Sequence, residues 1–307
     1  MESARVLTDL MDLRSRIVDF VRRASTEITA HDEKIVGDIA RNLPAGTTVY
    51  VAHTPRDTLQ DVIRMAIKVR AVGLRASPHL VARRIPSEKA LIDALAQLRS
   101  AGVDQALLVA GDCESSFGPF KHTLDLIDSG ILNEAGLARI GVAGHPEGIK
   151  GVAPERLIRA LQLKQMFGES SGLRIHIATQ FGFNPRAICE WASTLVRRGI
   201  RLPVHVGLAG PTSLTRLLRF AMACGVGASL SSASKNIKSV TNVARMAMTP
   251  EEMIPALVKL TDATAAGTIE QPHFFTFGGA LATADWLRSV TAGRFDVHSD
   301  GKLELHK

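Results

Sequence analysis

Eight short apolar runs recur along this chain, and segments with helical periodicity separate most of them. Alternation of strands and helices is typical of a parallel sheet, and eight repeats predict that the sheet closes on itself. We therefore expect an α/β fold, a (β/α)8 TIM barrel with one extra helix at its N-terminus. The runs that predict the strands are Thr26–Thr29, Thr48–His53, Arg75–His79, Gln105–Ala110, Ile140–Gly144, Ile175–Phe181, Leu202–Leu208 and His273–Phe277.

The length of 307 residues fits one barrel of about 250 residues with additions, so we expect a single domain. Asp57, Ser87 and Asn184 are of the residue types that begin helices, and each precedes a segment of helical periodicity. The expected parts of the domain are an amphipathic N-terminal helix in residues 1–23, the barrel in about 24–292 and a C-terminal tail in 293–307.

The composition argues against several classes of function. The net charge is +7, but the basic residues are dispersed and only 5% of the residues are aromatic, which disfavours a stacking surface for nucleic acid. No stretch approaches the ~20 continuous apolar residues of a membrane span, and we expect no secretory signal. The three cysteines are far apart and form no C-x-x-C motif, so we expect no metal site and a cytoplasmic, reducing environment. The positive charge suits an anionic small molecule.

Glu27 is the strongest candidate for catalysis, because it lies inside the first apolar strand. TIM barrels carry their chemistry at the carboxyl ends of the strands. A carboxylate near that rim would be partly desolvated, its pKa would rise, and it could act as a general acid. An edge carboxylate held in a salt bridge is the alternative. The polar residues at the predicted strand ends are Glu27, His53, His79, Asp112, His145, Gln180 and Thr276.

Other strand ends carry weaker signals. Gly111 and Asp112 follow the fourth run, where a glycine would let a ligand approach the backbone, although Gly-Asp is also a common turn. His79 follows a proline, and a satisfied structural histidine is its alternative reading. Gln180 offers both a donor and an acceptor, which suits the edge of an amide-like heterocycle, or else it caps a loop.

Taken in order, these residues resemble the methylenetetrahydrofolate reductase family over about residues 20–292. The resemblance implies a flavin-binding eight-stranded barrel. It also implies reduction of the methylene bridge of methylenetetrahydrofolate to a methyl group, with hydride from NADH or NADPH passing through FAD. The matching pieces are Ser25-Thr26-Glu27-Ile28, Ala76-Ser77-Pro78-His79-Leu80, Gly111-Asp112, Ala143-Gly144-His145-Pro146-Glu147-Gly148, Ala178-Thr179-Gln180-Phe181 and His273-Phe274-Phe275-Thr276.

The resemblance also implies a role for each matching residue. Glu27 would protonate N10 of the folate as its imidazolidine ring opens to a 5-iminium cation, and Asp112 would stabilise that cation. Gln180 would hydrogen-bond the pterin, with Leu214 and Phe275 as further substrate contacts. The residues implied to bind the cofactor are His53, His79, Gly111, Asp112, His145 and Lys164. Folates carry glutamate carboxylates, sometimes several, which suits a positive protein. The sequence leaves homo-oligomerisation and the choice of nicotinamide open.

The chain departs from the family pattern around the cofactor. Arg-Gly-Asp in the family is Ala110-Gly111-Asp112 here, and Gly-Tyr-Pro-x-Gly-His-Pro is replaced by 144–150. Leu214 stands where the family has an aromatic residue, and 277–279 replaces Leu-Asn-Arg. These changes predict a weakened flavin site. The alternatives are a flavin-independent reductase of the same substrate and a folate-binding barrel in methyl transfer. The acid retained at position 27 disfavours the folate-binding barrel, because a protein that only binds folate does not need a general acid.

Overall fold

The eight predicted strands are present in the computed structural model, which describes residues 2–213, 216, 249–263, 267–298 and 300–306. They form one closed barrel in chain order, as expected for a (β/α)8 fold. The strands are β1 Ser25–Thr29, β2 Thr48–Ala52, β3 Arg75–Val81, β4 Gln105–Val109, β5 Arg139–Gly144, β6 Arg174–Thr179, β7 Val204–Ala209 and β8 Ile269–Phe275.

Helices follow most of these strands, and short 3-10 turns lie at Ala30–Ile35, Ala82–Arg84 and Ile131–Asn133. No helix in the part of the chain that the structure describes is long and apolar enough to cross a membrane. The described α-helices are α1 Glu2–Arg22, α2 Val36–Asn42, α3 Leu59–Ala71, α4 Glu88–Ser100, α5 Thr123–Asp128, α6 Pro154–Ser171, α7 Pro185–Arg197, α8 Pro250–Ala263 and α9 Ala280–Thr291.

Side-chain caps fix where the helices begin. Ser87 accepts a hydrogen bond from the N–H of Ala90 and Asn184 accepts one from Ala187, so both predicted caps are confirmed. The prediction that Asp57 caps the next helix is wrong. The helix α3 begins after Thr58, which forms a capping box with Asp61, because the Thr58 hydroxyl reaches the N–H three residues on and Asp61 reaches back.

The contacts of the chain group it into two compact units. The first unit comprises Ser25–Gly144 and Glu155–Ala178. The second comprises Met1–Ala24, His145–Pro154 and Thr179–Lys307.

The strands of the first unit carry a packed interior rather than an open channel. Tyr50, Leu107 and Ala178 form one buried cluster, and the Tyr50 hydroxyl lies 2.7 Å from Nε2 of His176. Gly141 makes room for this arrangement, since a Cβ there would lie 2.8 Å from Leu107 and 2.9 Å from the His176 ring. Such layers of inward side chains are typical of TIM barrels.

The second unit contains a small sheet that the sequence did not predict. Residues 293–307, expected as a tail, include β9 Phe295–Val297 and β10 Leu303–Leu305, which pair antiparallel. Phe295 is fully buried, and the Arg14 guanidinium lies 5.4 Å from the centre of its ring. The Arg14 side chain also donates to the carbonyls of Gly293 and Phe295. The chain after α9 is therefore packed against α1.

Candidate functional site

Glu27 occupies a mostly buried position on β1, between the buried residues Thr26 and Ile28. Its side chain is 15% exposed. Burial raises the pKa of Glu27 to about 8, and the negative charge of Asp32 acts in the same direction. Because the pKa lies above neutrality, the carboxyl group keeps its proton at pH 7.

His79 on β3 faces this carboxyl group. Its Nε2 lies 3.9 Å from Oε2 of Glu27, and its ring meets Tyr50 edge to face with centroids 6.2 Å apart. Burial lowers the pKa of His79 to about 3, and His53 contributes further repulsion of a positive charge. The Glu27–His79 contact therefore joins two neutral groups and is not an ion pair at pH 7. The sequence placed His79 among cofactor contacts, and the structure brings it to the catalytic candidate.

Several buried polar atoms on and just after β2 and β3 have no hydrogen-bond partner among the residues that the structure describes. Buried polar groups are nearly always hydrogen-bonded, so such atoms indicate the place of a polar ligand or water. His53 shows this best: its Nε2 lies 3.1 Å from the carbonyl of Asp57, which leaves Nδ1 as an acceptor. Burial lowers the pKa of His53, so the ring is neutral. The unpartnered atoms are His53 Nδ1, Thr54 Oγ1, Ser77 Oγ and His79 Nε2.

The loop after β4 brings Gly111 and Asp112 to the end of the strand. Gly111 has a φ of +99°, and a Cβ there would lie 2.6 Å from a methyl group of Val81, so the position requires glycine. The Asp112 side chain is 76% exposed, and it accepts a hydrogen bond of 2.8 Å from Arg84. Asp112 is therefore open to a ligand, with its orientation set by one guanidinium.

Arg84 is a site residue that the sequence analysis missed. Its side chain is only 9% exposed, and it also donates to the backbone carbonyls of His53 and Thr54. Arg83 beside it donates to the carbonyls of Lys121 and Cys113, each at 3.0 Å. Two arginines thus lie next to the loop in which Ala110 replaces the family's arginine. The charge of Arg84 is paired with the Asp112 carboxylate, whereas Arg83 keeps its charge and uses Nε and Nη1 on backbone carbonyls.

Lys164 lies on the core-facing stripe of α6, with Leu161 and Gly168. It is 7% exposed, and burial lowers the pKa of its amine to about 8. Among the residues that the structure describes, none forms a hydrogen bond or ion pair with the Lys164 side chain. A buried cation without an anion is costly, so this position suits the negative group of a ligand.

The second unit carries Gln180, His145 and Phe275. Gln180 follows β6, and its side-chain oxygen accepts the N–H of Phe181 at 3.0 Å, as in the loop-cap alternative. Its amide nitrogen has no acceptor among the described residues. His145 follows β5, is half-buried, and begins a turn in which its carbonyl accepts the N–H of Gly148. Leu214 lies outside the described residues, so its predicted contact with the substrate stays a prediction.

Phenylalanines at the ends of β6 and β8 form an aromatic cluster. Phe181 lies 5.0 Å from Phe277 and 5.4 Å from Phe275, measured between ring centroids. Phe275 and Phe277 stack at 18° with centroids 6.1 Å apart. Phe275 is only partly buried, so the cluster has an accessible side. The sequence analysis named Phe277 as the end of the last predicted strand and within a departure from the family, and the structure buries its ring in this cluster.

Comparison with known protein families agrees with the sequence reading. The family model described as methylenetetrahydrofolate reductase matches residues 41–290. Among solved structures, the chain is similar to dihydropteroate synthase (FolP) of Thermus thermophilus, with 11% identity and a TM-score of 0.47. That match covers 86% of this chain and 91% of the other.

No group of three or more histidine, cysteine, aspartate and glutamate side chains in the described ranges could hold a metal ion.

Proposed function

This chain belongs to the methylenetetrahydrofolate reductase family, whose reaction is an oxidation–reduction of methylenetetrahydrofolate, and from that premise we propose the residues and cofactors of its reaction. The substrate is 5,10-methylenetetrahydrofolate and the product is 5-methyltetrahydrofolate. NADH or NADPH supplies the hydride, and FAD is the carrier between them.

The observation that carries this proposal is the buried, protonated carboxyl group of Glu27. Opening of the imidazolidine ring breaks the bond between the methylene carbon and N10, and N10 needs a proton as it leaves. The Glu27 O–H donates that proton, which forms the 5-iminium cation and leaves Glu27 as a carboxylate. Hydride addition to the iminium carbon then forms the methyl group. One proton and one hydride are consumed in each turnover.

Asp112 supplies negative charge for the iminium cation. The hydrogen bond from Arg84 fixes the direction of the carboxylate, so its charge is oriented before the cation forms. The side chain is exposed in the free protein, where water screens it. A bound folate would cover the carboxylate and lower the local dielectric constant, which strengthens its interaction with the cation.

Gln180 and Phe275 are the proposed contacts for the pterin. The Gln180 side-chain oxygen is already bonded to the Phe181 N–H, so its amide N–H groups are the donors that would reach a pterin nitrogen or carbonyl. The partly exposed ring of Phe275 is held against Phe277 and would pack against a flat heterocycle. The glutamate carboxylates of the folate suit the net charge of +7.

The residues at the ends of β2, β3 and β4 fit a dinucleotide such as FAD. Its ribityl and ribose hydroxyls can donate to the unpartnered His53 Nδ1, Thr54 and Ser77, and Gly111 lets a ligand approach the backbone. The Lys164 ammonium is a suitable partner for a phosphate. When bound, flavin would carry hydride from the nicotinamide to the folate. His145 stays a predicted cofactor contact. Because one lysine supplies the cation, we expect weaker, more salt-sensitive FAD binding than is usual in the family.

A flavin-independent reaction is the second candidate. Arg84 is paired with Asp112, Arg83 uses Nε and Nη1 on backbone carbonyls, and Ala110 brings no cation to the loop, so few guanidinium donors beside Gly111 are left for a pyrophosphate. In that case hydride would pass directly from the nicotinamide to the folate, with the same roles for Glu27 and Asp112.

Nicotinamide oxidation in the presence of methylenetetrahydrofolate, with and without added FAD, tests these alternatives. Oxidation that is matched by formation of 5-methyltetrahydrofolate supports the proposed reaction. A rate that rises with FAD supports the flavin route, and an unchanged rate in flavin-free protein supports the direct route. Folate binding without oxidation under either condition would overturn both.

A further inference from the structure

A cavity of about 300 Å³ lies at the amino ends of β3 and β4, within the first unit. Strands in a parallel sheet all run the same way, so this end is opposite the carboxyl ends that carry His53, His79 and Asp112. The cavity therefore belongs to neither the acid nor the cofactor residues described above. Three arginines, Arg70, Arg75 and Arg99, contribute to its wall.

The cavity wall carries an excess of positive charge. Arg70 lies in the last turn of α3, Arg99 lies in the last turn of α4, and Arg75 begins β3. Asp104 is the one carboxylate among the lining residues. The lining residues thus include three arginines and one aspartate, which leaves a formal excess of two positive charges.

The guanidinium groups retain most of their donors. Arg70 uses Nε to donate to the carbonyl of Gly102 at 3.1 Å, and its terminal nitrogens make no further described contact. Within the described ranges, neither the Arg75 nor the Arg99 side chain forms a hydrogen bond or ion pair. Arg64 on the same helix as Arg70 differs, because it pairs with Asp61 at 2.9 Å.

A helix C-terminus favours a basic residue, which by itself accounts for Arg70 and Arg99. It does not account for Arg75, which lies on a strand, or for the concave surface that the three share. The carbonyls at the two helix ends weaken the positive potential, but together they carry about one unit of negative charge against three guanidinium groups.

Glycines shape the cavity around the arginines. Gly136 has a φ of +74°, and a Cβ there would lie 2.7 Å from Cδ of Arg99. The absence of a side chain lets the Arg99 stem lie along the turn. At Gly46 and Gly73 a Cβ would meet nothing within 4 Å, so the cavity is open on that side.

We propose that this arginine-lined cavity binds a phosphoryl group, either as free phosphate or as part of a small phosphorylated metabolite. The planar fork of a guanidinium matches two oxygens of a phosphate, and arginine is the preferred residue for such bidentate contacts. The size of the cavity suits a compact anion with a modest appendage. The site is separate from the proposed reductase site, so its occupant is neither the folate nor the dinucleotide of the reaction.

Calorimetric titration at low ionic strength with inorganic phosphate and with adenosine monophosphate tests the proposal. The test variant is Arg75→Gln/Arg99→Gln, which changes two exposed side chains without described partners. The matched control is Arg64→Gln/Arg288→Gln, which also removes two positive charges, at exposed arginines that do not line the cavity.

We expect saturable binding to the wild-type protein and the same affinity in the control. The double variant should bind at least about tenfold more weakly than wild type. Tighter binding of adenosine monophosphate than of inorganic phosphate would identify the ligand as a phosphorylated metabolite. Equal affinities would show that the cavity recognises the phosphoryl group alone. Equal affinities in wild type and double variant, or no binding to wild type, would overturn the proposal. The readout is binding, so failure of the reductase assignment does not affect it.

Discussion

Oε2 of Glu27 and Nε2 of His79 lie 3.9 Å apart, and burial keeps both groups uncharged at neutral pH. A cationic imidazole at this distance would lower the pKa of the carboxyl group and remove its proton. The neutral histidine does not do so, because desolvation brings its own pKa to about 3. The pair therefore preserves the acid form of Glu27 for the substrate.

Glu27→Gln is expected to lower turnover about 10²–10⁴-fold while the fold and folate binding remain, because an amide has no proton to give at neutral pH. The measurement is steady-state nicotinamide oxidation beside folate binding. The control is Glu33→Gln, which removes an exposed carboxylate paired with Lys68 in the same region. Turnover of Glu27→Gln within about twofold of wild type would contradict the assignment.

The pH dependence of kcat/KM follows from the raised pKa of Glu27. The acid form is active, so activity is expected to hold below about pH 8 and to fall as pH rises through the folded-state pKa, about tenfold per unit beyond it. Saturating FAD is needed in the assay, because the Lys164 pKa is also about 8. A profile that stays flat to about pH 10, or that falls near the ordinary pKa of glutamate, would show that another group donates the proton.

Asp112→Asn is expected to slow the reduction of folate more than the oxidation of nicotinamide. The substitution keeps the shape of the side chain and removes the negative charge that favours the iminium cation. Stopped-flow measurement of the two half-reactions separates the effects. Asp93→Asn is a suitable control, since Asp93 is an exposed partner of Lys89. Equal losses in both half-reactions would count against a role in stabilising the cation.

Lys164→Met is expected to stabilise the protein without cofactor and to weaken FAD binding. Methionine fills similar space without a buried, unpaired charge, so the free energy of unfolding should rise on the order of 1 kcal/mol. Loss of the cation should weaken FAD about tenfold. Thermal unfolding and FAD titration measure the two effects, and the control is Lys89→Met, at an exposed lysine paired with Asp93. A less stable variant with unchanged FAD affinity would make Lys164 a structural residue.

Ala110→Arg is expected to tighten FAD binding and to make it more sensitive to salt, because it restores a cation beside Gly111. The carbonyl of Ala110 accepts the N–H of Arg83, so the backbone at this position is already fixed. Titration of flavin-free protein at low and high salt tests the effect. Wild-type FAD binding that is tight and indifferent to salt would show that other contacts hold the cofactor.

The sequence predicted the barrel well because its strands are short, apolar and separated by helices. The run Thr48–His53, for example, became β2 Thr48–Ala52, and Glu27 has the raised pKa expected of a carboxylate in an apolar strand. Both predictions depend on the pattern of apolar and polar residues within one short segment, and that pattern can be read directly from the sequence.

Features that depend on distant contacts or on a choice between neighbours were not predicted. Arg84 reaches Asp112 across 28 positions, and no local pattern marks that pair. Asp57 and Thr58 are adjacent residues of capping type. Thr58 forms the cap, while the Asp57 carboxylate accepts the N–H of Thr54. The strands β9 and β10 have three residues each, too few for alternation to be visible.

Phe277 has a φ of +48°, a left-handed conformation that no other non-glycine residue in the described ranges adopts. This geometry costs about 1–2 kcal/mol for a residue with a Cβ, and glycine would remove the cost. Glycine would also remove the ring that lies 5.0 Å from Phe181. At position 277 the backbone conformation therefore favours glycine, whereas the aromatic contact favours phenylalanine. Natural variation at position 277 is expected to be coupled to variation at position 181. A smaller residue at either position removes the ring contact that the aromatic residue at the other position makes.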